Sequence, residues 1–261
     1  MKNDYLLKIK QRKKLNNVNK NNNKLRIATY NVHYWTDVYE NNKYLLILED
    51  ISSIDADIIF LQEVLFGSIY KINGDSINTT DLILRLEKMG YYIIFCNILP
   101  TWYNGIYGNM FCVKNKIKEK INSTNYTLDK LDSCYSGNNK IDPETRCYII
   151  LEYLEYLIVG VHLDVCNENN RYNQINEIMN KIDRQKKVII LGDFNTIEDS
   201  KTIKYIKNNN FKSIINTDIT VWSGIQCDYI FTNFEEVKEV TGNIYYTENS
   251  DHLPLYISIK Q

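Results

Sequence analysis

At 261 residues the chain is long enough for one large domain or two small ones, and 44% hydrophobic with 24% charged residues is the composition of a soluble globular protein. No apolar run approaches membrane-spanning length, so no transmembrane segment is expected, and the charged N-terminus lacks the apolar core of a secretory signal. The net charge of -1 hides an asymmetry, because residues 1–24 carry eight Lys or Arg against Asp4 alone, about +7, and leave the rest at about -8. An acidic body argues against a broad basic surface that grips duplex nucleic acid and fits a carboxylate-lined site that needs metal.

Residues 1–24 are basic, rich in Asn and poor in residues to bury after Leu6 and Leu7, so a disordered arm is expected. Residues 25–261 are expected to form a single domain. Leu25 to Tyr30 reads as a short strand ending at Asn31-Val32-His33, followed by an apolar helix over 43–54. Asp57 to Glu63 is a second buried strand, closing on Gln62-Glu63. Thr80 to Met89 reads as a helix capped by Thr79 or Thr80 and stopped by Gly90. Strands are expected at 91–98 and 106–113, around an aromatic loop that includes Trp102 and Tyr103. Residues 114–143 are polar, with a weak strand near 121–128. A hairpin pair follows at 146–153 and 156–161, the second strand ending at His162. Helical spacing marks 169–182, and a helix near 199–207 follows the strand at 188–195. The remaining strands fall near 227–232, 237–246 and 253–259. Strands of mixed spacing with helices between some of them indicate an α/β or α+β fold with large mixed sheets.

The six cysteines are scattered without a Cys-x-x-Cys pair, so neither a zinc site nor a disulfide framework is indicated, and a reducing intracellular compartment, cytoplasm or nucleus, is expected. The surplus of Asn, Lys, Ile and Tyr reads as the coding bias of an AT-rich genome, cellular or viral. A monomer is expected.

The most informative stretch is Val188-Ile189-Ile190-Leu191-Gly192-Asp193-Phe194-Asn195. Its apolar run reads as a strand buried on both faces, and Gly192 permits a tight turn or a close backbone approach. In an extended chain Asp193 and Asn195 point the same way, presenting a carboxylate and an amide together. With 17 Asp and 34 Asn in the chain, an Asp-x-Asn triplet arises by chance roughly twice, so this pair alone is weak. Its company strengthens it. Asn31, Glu63, His162, Asp193, Asn195, Asp228 and Ser250-Asp251-His252 all fall at strand exits, and so do all three histidines. Hard oxygen ligands suit Mg²⁺, a carboxylate-held histidine can move a proton, and Asn or Asp can orient water. Phosphodiester hydrolysis requires this set.

The ordered series Asn31 in TYNVH, Gln62-Glu63 in LQEV, His162-Leu163, GDFN at 192–195, Asp228 in CDYIF and SDHLP at 250–254 resembles the endonuclease/exonuclease/phosphatase superfamily, the DNase I-like fold. The resemblance covers about residues 25–259. It implies a four-layer sandwich of two packed mixed β-sheets flanked by helices. It also implies Mg²⁺, with Mn²⁺ able to substitute. Glu63 would be the principal ligand, assisted by Asn31 and Asp251. Asp193 would position or deprotonate water, Asn195 would bind phosphate or that water, and Asp228 would fix His252 against the scissile phosphate. His162 matches the branch with a second histidine rather than the exonuclease III-like abasic endonucleases. Glu144 and Arg146 resemble a recurrent Glu-x-Arg of the family, a substrate contact; a surface ion pair is the equal alternative. Arg171 and Gln174 resemble a pattern of poorly characterised members, with Arg171 a substrate contact. Trp102 either stacks on substrate or packs a loop.

The expected activity is metal-assisted attack of water on a phosphodiester, most readily in nucleic acid. An inositol-phosphate phosphatase, a sphingomyelinase-like phosphodiesterase, and an inactive binding protein that keeps the fold are the competing readings. The intact polar set argues against the last.

Overall fold

The computed structural model describes residues 2–16, 18, 24–128, 132–136, 139–141, 144–234 and 240–260; the side chains of 99–102, 134–136 and 139–141 lie outside that set. In chain order the elements are α1 (Lys2–Arg12), β1 (Lys24–Asn31), α2 (Tyr44–Ile54), β2 (Ile58–Phe66), β3 (Ile69–Ile72), β4 (Asp75–Asn78), α3 (Leu82–Lys88), β5 (Tyr91–Trp102), β6 (Gly105–Lys114) and β7 (Ile121–Leu128). They continue with β8 (Cys134–Ser136), β9 (Asn139–Ile141), β10 (Arg146–Tyr153), β11 (Tyr156–His162), α4 (Glu168–Lys181), β12 (Lys187–Asp193), α5 (Lys201–Asn208), β13 (Lys212–Ser213), β14 (Asp228–Thr232), β15 (Val240–Ile244) and β16 (Leu255–Lys260).

Two six-stranded sheets form the body, in the orders β15-β16-β1-β2-β6-β5 and β13-β14-β12-β11-β10-β7. Each holds one parallel pair, β1 with β2 and β11 with β12, among antiparallel neighbours. The alternation of side chains along β10 decides the layering. Ile149 and Leu151 face inward and join the core between the sheets, with Phe60, Phe111 and Ile257 from the first sheet. Tyr148 and Ile150 face outward and are covered by Ile175, Ile178 and Met179 of α4 and by Ile203 and Ile206 of α5. On the other side, Ile47 and Ile51 of α2 and Leu82 and Leu86 of α3 join the core of the first sheet. The result is the expected sandwich of helices, sheet, sheet and helices. A Cβ added at Gly160 would meet the Phe60 ring at 2.5 Å, which shows how closely the sheets approach there.

Three features depart from the sequence reading. Residues 2–12 are helical rather than disordered, because Tyr5 and Ile9, one turn apart, are buried against Ile219 and Leu253. Residues 17 and 19–23 of the expected arm lie outside the described residues. Cys166 is disulfide-bonded, where free thiols were expected throughout, while Cys96, Cys112, Cys147 and Cys227 are free and buried. Two small hairpins, β3–β4 and β8–β9, were not foreseen. Among the described residues no helix is long and apolar enough to cross a membrane.

Candidate active site

Register places the functional side chains at one edge of the sandwich. In the second sheet His162 pairs with Asp193, and Asp193 pairs with Asp228, so the three lie side by side across β11, β12 and β14. The approach of β12 to β11 depends on Gly192, whose φ is +144° and whose missing Cβ would lie 1.8 Å from the Val161 carbonyl oxygen. In the first sheet Asn31 ends β1 opposite Gln62. Glu63 follows at a β-bulge between Leu61 and Val64, with φ of +57°. A bulge re-aims a side chain, and this left-handed residue turns a carboxylate out of the strand pattern toward the second sheet.

The two sheets are joined through Asn31. Its Nδ2 donates to Glu63 Oε1 at 2.9 Å and to Asp193 Oδ2 at 3.1 Å, while its Oδ1 accepts the His33 backbone N–H at 3.0 Å. Ser250 Oγ donates to the Asn31 carbonyl at 2.8 Å and holds the 250–252 loop against β1. Asp251 Oδ1 lies 3.6 Å from His33 Nδ1.

His162, His252 and the carboxylates of Asp193 and Asp228 are buried. His252 Nδ1 is 2.9 Å from Asp228 Oδ2, and its Nε2 is 3.7 Å from Asp193 Oδ2. Burial opposes a charge on His252, but Asp228, Asp251 and Asp193 outweigh it and hold the imidazole well above its ordinary range. His162 goes the other way: burial, reinforced by the charges of Arg146 and His252, pushes it well below. Arg146 Nη1 is 3.3 Å from His162 Nδ1. The same Nη1 is 3.5 Å from His162 Nε2, which in turn lies 3.7 Å from Asp193 Oδ2 and 3.9 Å from Glu63 Oε1. With His162 neutral, these are polar contacts rather than ion pairs. Burial pushes the Asp193 carboxyl up to about 7, with Asp228 adding to the rise; His252, the Asn195 backbone N–H and Asn31 oppose it.

Asn195 departs from simple alternation. Strand β12 ends at Asp193, and Asn195 turns left-handed at φ of +50°, a conformation Asn tolerates. Its backbone N–H donates to Asp193 Oδ1 at 2.8 Å, and its Nδ2 donates to the Leu163 carbonyl at 3.0 Å. Phe194 is fully buried in the outer core.

Not every candidate reaches the site. Arg146 is buried beneath His162 and ion-paired with Glu144 at 2.9 Å, so it is neither a surface pair nor open to substrate. Arg171 turns inward, with Nε on Glu168 Oε2 at 3.0 Å and Nη1 on the Asp164 carbonyl at 2.9 Å. Together with Gln174, whose Oε1 accepts the Asp164 N–H at 2.9 Å, it braces the loop after His162. Trp102 pairs through its backbone with Gly105, and its side chain lies outside the described residues. Residues outside the ordered motif series also contribute: His33, one of the three exit histidines, beside Asp251, and Thr220, whose Oγ1 accepts the backbone N–H groups of Cys227 at 3.0 Å and Asp228 at 3.1 Å. The exit position and scarcity of histidine mark His33; nothing in the sequence marks Thr220.

A family model described as the Endonuclease/Exonuclease/phosphatase family matches residues 17–252. The chain belongs to this family. No curated protein matches it by sequence. Among solved structures it is similar to an endonuclease/exonuclease/phosphatase from Beutenbergia cavernae DSM 12333, with TM-score 0.65 and 13% identity, covering 91% of this chain and 72% of that one. It is similar to the human Nocturnin catalytic domain with bound sulfate anion, with TM-score 0.56 and 16% identity, over 90% and 93% of the two chains. A mannosyl-6-phosphatase of Bacteroides thetaiotaomicron VPI-5482 gives 0.57 and 14%, over 89% and 98%. These likenesses show the DNase I-like fold.

Endonuclease/exonuclease/phosphatase proteins are hydrolases of phosphoester bonds and generally use a divalent metal. The donor chemistry here fits one. Glu63, half-buried, and Asp251, largely buried, offer carboxylate oxygens, the donors a hard cation takes. Asn31 presents its amide nitrogen to Glu63, so it would ligate through Oδ1 only after the amide turns; as arranged, it positions Glu63 and Asp193. Ligand atoms of Asp193, Cys227 and His252 also lie within 4.8 Å of one another, but a thiol suits a softer ion than Mg²⁺.

Proposed function

We propose that the chain hydrolyses phosphodiester bonds in nucleic acid by direct attack of water, assisted by Mg²⁺. The observation that carries this reading is the convergence of two buried imidazoles on one buried carboxylate, His162 Nε2 and His252 Nε2 each 3.7 Å from Asp193 Oδ2, with burial raising Asp193 and lowering His162 and the surrounding carboxylates raising His252. Groups whose environments drive their proton affinities apart divide acid from base work. A cation held by Glu63 and Asp251 would stabilise charge on the phosphoryl oxygens and the leaving group.

Each side chain then has a defined task. Asp193 Oδ1 is fixed by the Asn195 N–H, and Oδ2 stands ready to take the proton of the attacking water at neutral pH. His252, held at Nδ1 by Asp228, presents a protonated Nε2 to a phosphoryl oxygen. His162 faces Asp193 Oδ2 from the other side through Nε2, with the Arg146 guanidinium packed against its ring. Burial of all three excludes bulk water and strengthens each contact. Nucleic acid is favoured by the exposed Lys13 and Lys14 near the N-terminus, beside Lys8 and Lys10, which face Asp218 and Glu248 at 3.9 and 4.0 Å.

The experiment offers the purified protein supercoiled plasmid, abasic and 5′-tyrosyl DNA, poly(A), inositol phosphates, a sugar 6-phosphate and sphingomyelin, in Mg²⁺ or EDTA. Cleavage of DNA or RNA in Mg²⁺ alone is expected. Turnover confined to the other substrates would overturn the nucleic-acid assignment, and undiminished activity in EDTA would overturn the metal.

A further inference from the structure

Helix α1 lies before the residues that the family model matches, yet it is seated on the segment that builds the Asp228–His252 pair. Tyr5 and Ile9 are buried against Ile219 and Leu253. Arg12 makes a two-bonded ion pair with Asp218, at 2.8 and 3.1 Å. At the other end of the helix the Lys2 ammonium lies 5.2 Å from the centre of the Trp222 ring. Just past the helix, the Asn16 side chain donates to the Tyr246 carbonyl at 2.8 Å and accepts the Tyr246 N–H at 2.7 Å. Both ends of α1 therefore hold the 218–222 segment, and Asn16 holds the approach to the 250–252 loop.

That segment in turn carries the catalytic pair. Thr220 Oγ1 accepts the N–H groups of Cys227 and Asp228, and the Thr220 carbonyl accepts the Leu253 N–H at 2.7 Å. Val221 bridges to His252, and the Trp222 N–H donates to the Asp251 carbonyl at 2.9 Å. One short stretch thus sets the backbone under both partners of the 2.9 Å Asp228–His252 contact.

We propose that α1 is a positioning element of the active site, holding Asp218–Trp222 so that Asp228 and His252 keep their register. This rests on the reading of His252 as the phosphate-facing acid. The Arg12–Asp218 pair is a suitable handle, because its side chains are 32% and 52% exposed. Such pairs contribute little to global stability, so breaking this one should cost activity before it costs the fold. The two main cores contain no residue of α1.

The test uses the full chain with bis(p-nitrophenyl) phosphate and Mg²⁺, comparing Arg12→Glu, Asp218→Arg and the double exchange Arg12→Glu/Asp218→Arg. Each single variant should lose about tenfold in kcat with KM within about twofold, the scale of a small misplacement of a reacting group. Melting temperature should move by no more than about 3 °C, as for a surface pair. The double exchange should recover most of kcat, and the His252 ring NMR signals should shift in the single variants and return in the exchange. Wild-type kcat in the single variants, or a loss that the exchange leaves unrepaired, would overturn the proposal. If the wild type does not turn over the diester, the phosphoesterase reading falls on its own; unmoved His252 signals would then overturn the positioning role.

Discussion

The sheet containing β1 and β2, with the loop that leads into β16, delivers Asn31, Glu63 and Asp251, and the carboxylate side chains of Glu63 and Asp251 are 17% and 12% exposed. The sheet containing β11, β12 and β14 delivers His162, Asp193 and Asp228, none more than 2% exposed. The chemistry divides along the same line. Carboxylates near solvent can exchange water for a cation, whereas burial raises the Asp193 carboxyl to about 7 and keeps His162 neutral. His252 crosses the divide: it enters from the first sheet's loop and bonds to Asp228 of the second. The site is assembled by packing, so that neither sheet alone supplies both Glu63 and the Asp193–His252 contact.

Substitutions can separate the two halves. The largest effect is expected from Asp193→Asn, which should lower kcat by roughly 10³-fold without changing the Mg²⁺ concentration needed for half-maximal rate. Glu63→Gln should do the reverse, raising that concentration by at least about tenfold and recovering part of its rate at high Mg²⁺. A Mg²⁺ titration of both variants checks the division; matching titrations would abolish it. Asp50 offers a test behind the first sheet. Burial pushes its carboxyl up to about 6, against hydrogen bonds from Asn249, Thr247 and Tyr30 that tie it to the 247–252 loop. The folded state therefore binds this proton more tightly than the unfolded chain. Relative to Asp50→Asn, the wild type should lose stability as pH rises from about 4 to about 6, by an amount on the order of 2 kcal/mol, and run parallel above that. Thermal melts across pH 4–8 read this, and a gap that widens instead above pH 7 would contradict it. The smallest effect belongs to Arg171→Ala. Since Arg171 braces a loop, kcat should fall by no more than about threefold with KM unchanged, on the scale of one lost hydrogen bond; a tenfold rise in KM would restore it as a substrate contact.

Strand exits were legible because buried strands are short apolar runs and the polar residue that ends each one stands out. Asn31, His162 and Asp193 end β1, β11 and β12 in this way, and the structure brings them together with Asp228, which opens β14 instead. What depended on distant partners was not legible. The amphipathic signal of α1 rests on only two buried residues, Tyr5 and Ile9, and Lys- and Asn-rich surroundings hide it; the apolar surface of Ile219 and Leu253 makes it a helix. The Glu144–Arg146 ion pair is readable from the sequence as an alternative, but the burial of Arg146 and the capture of Arg171 by Glu168 and the Asp164 carbonyl are visible only in the fold. The left-handed turns at Glu63 and Asn195 likewise come from the bulge and the loop rather than from composition.

The central claim, that water attacks phosphorus with Asp193 as base and a cation at Glu63, is tested most directly by single-turnover hydrolysis in ¹⁸O-water. With bis(p-nitrophenyl) phosphate and Mg²⁺, the account predicts one ¹⁸O in each phosphomonoester product, and neither label nor product above background for Asp193→Asn. Product free of ¹⁸O, or labelled product formed by Asp193→Asn at the wild-type rate, would contradict it.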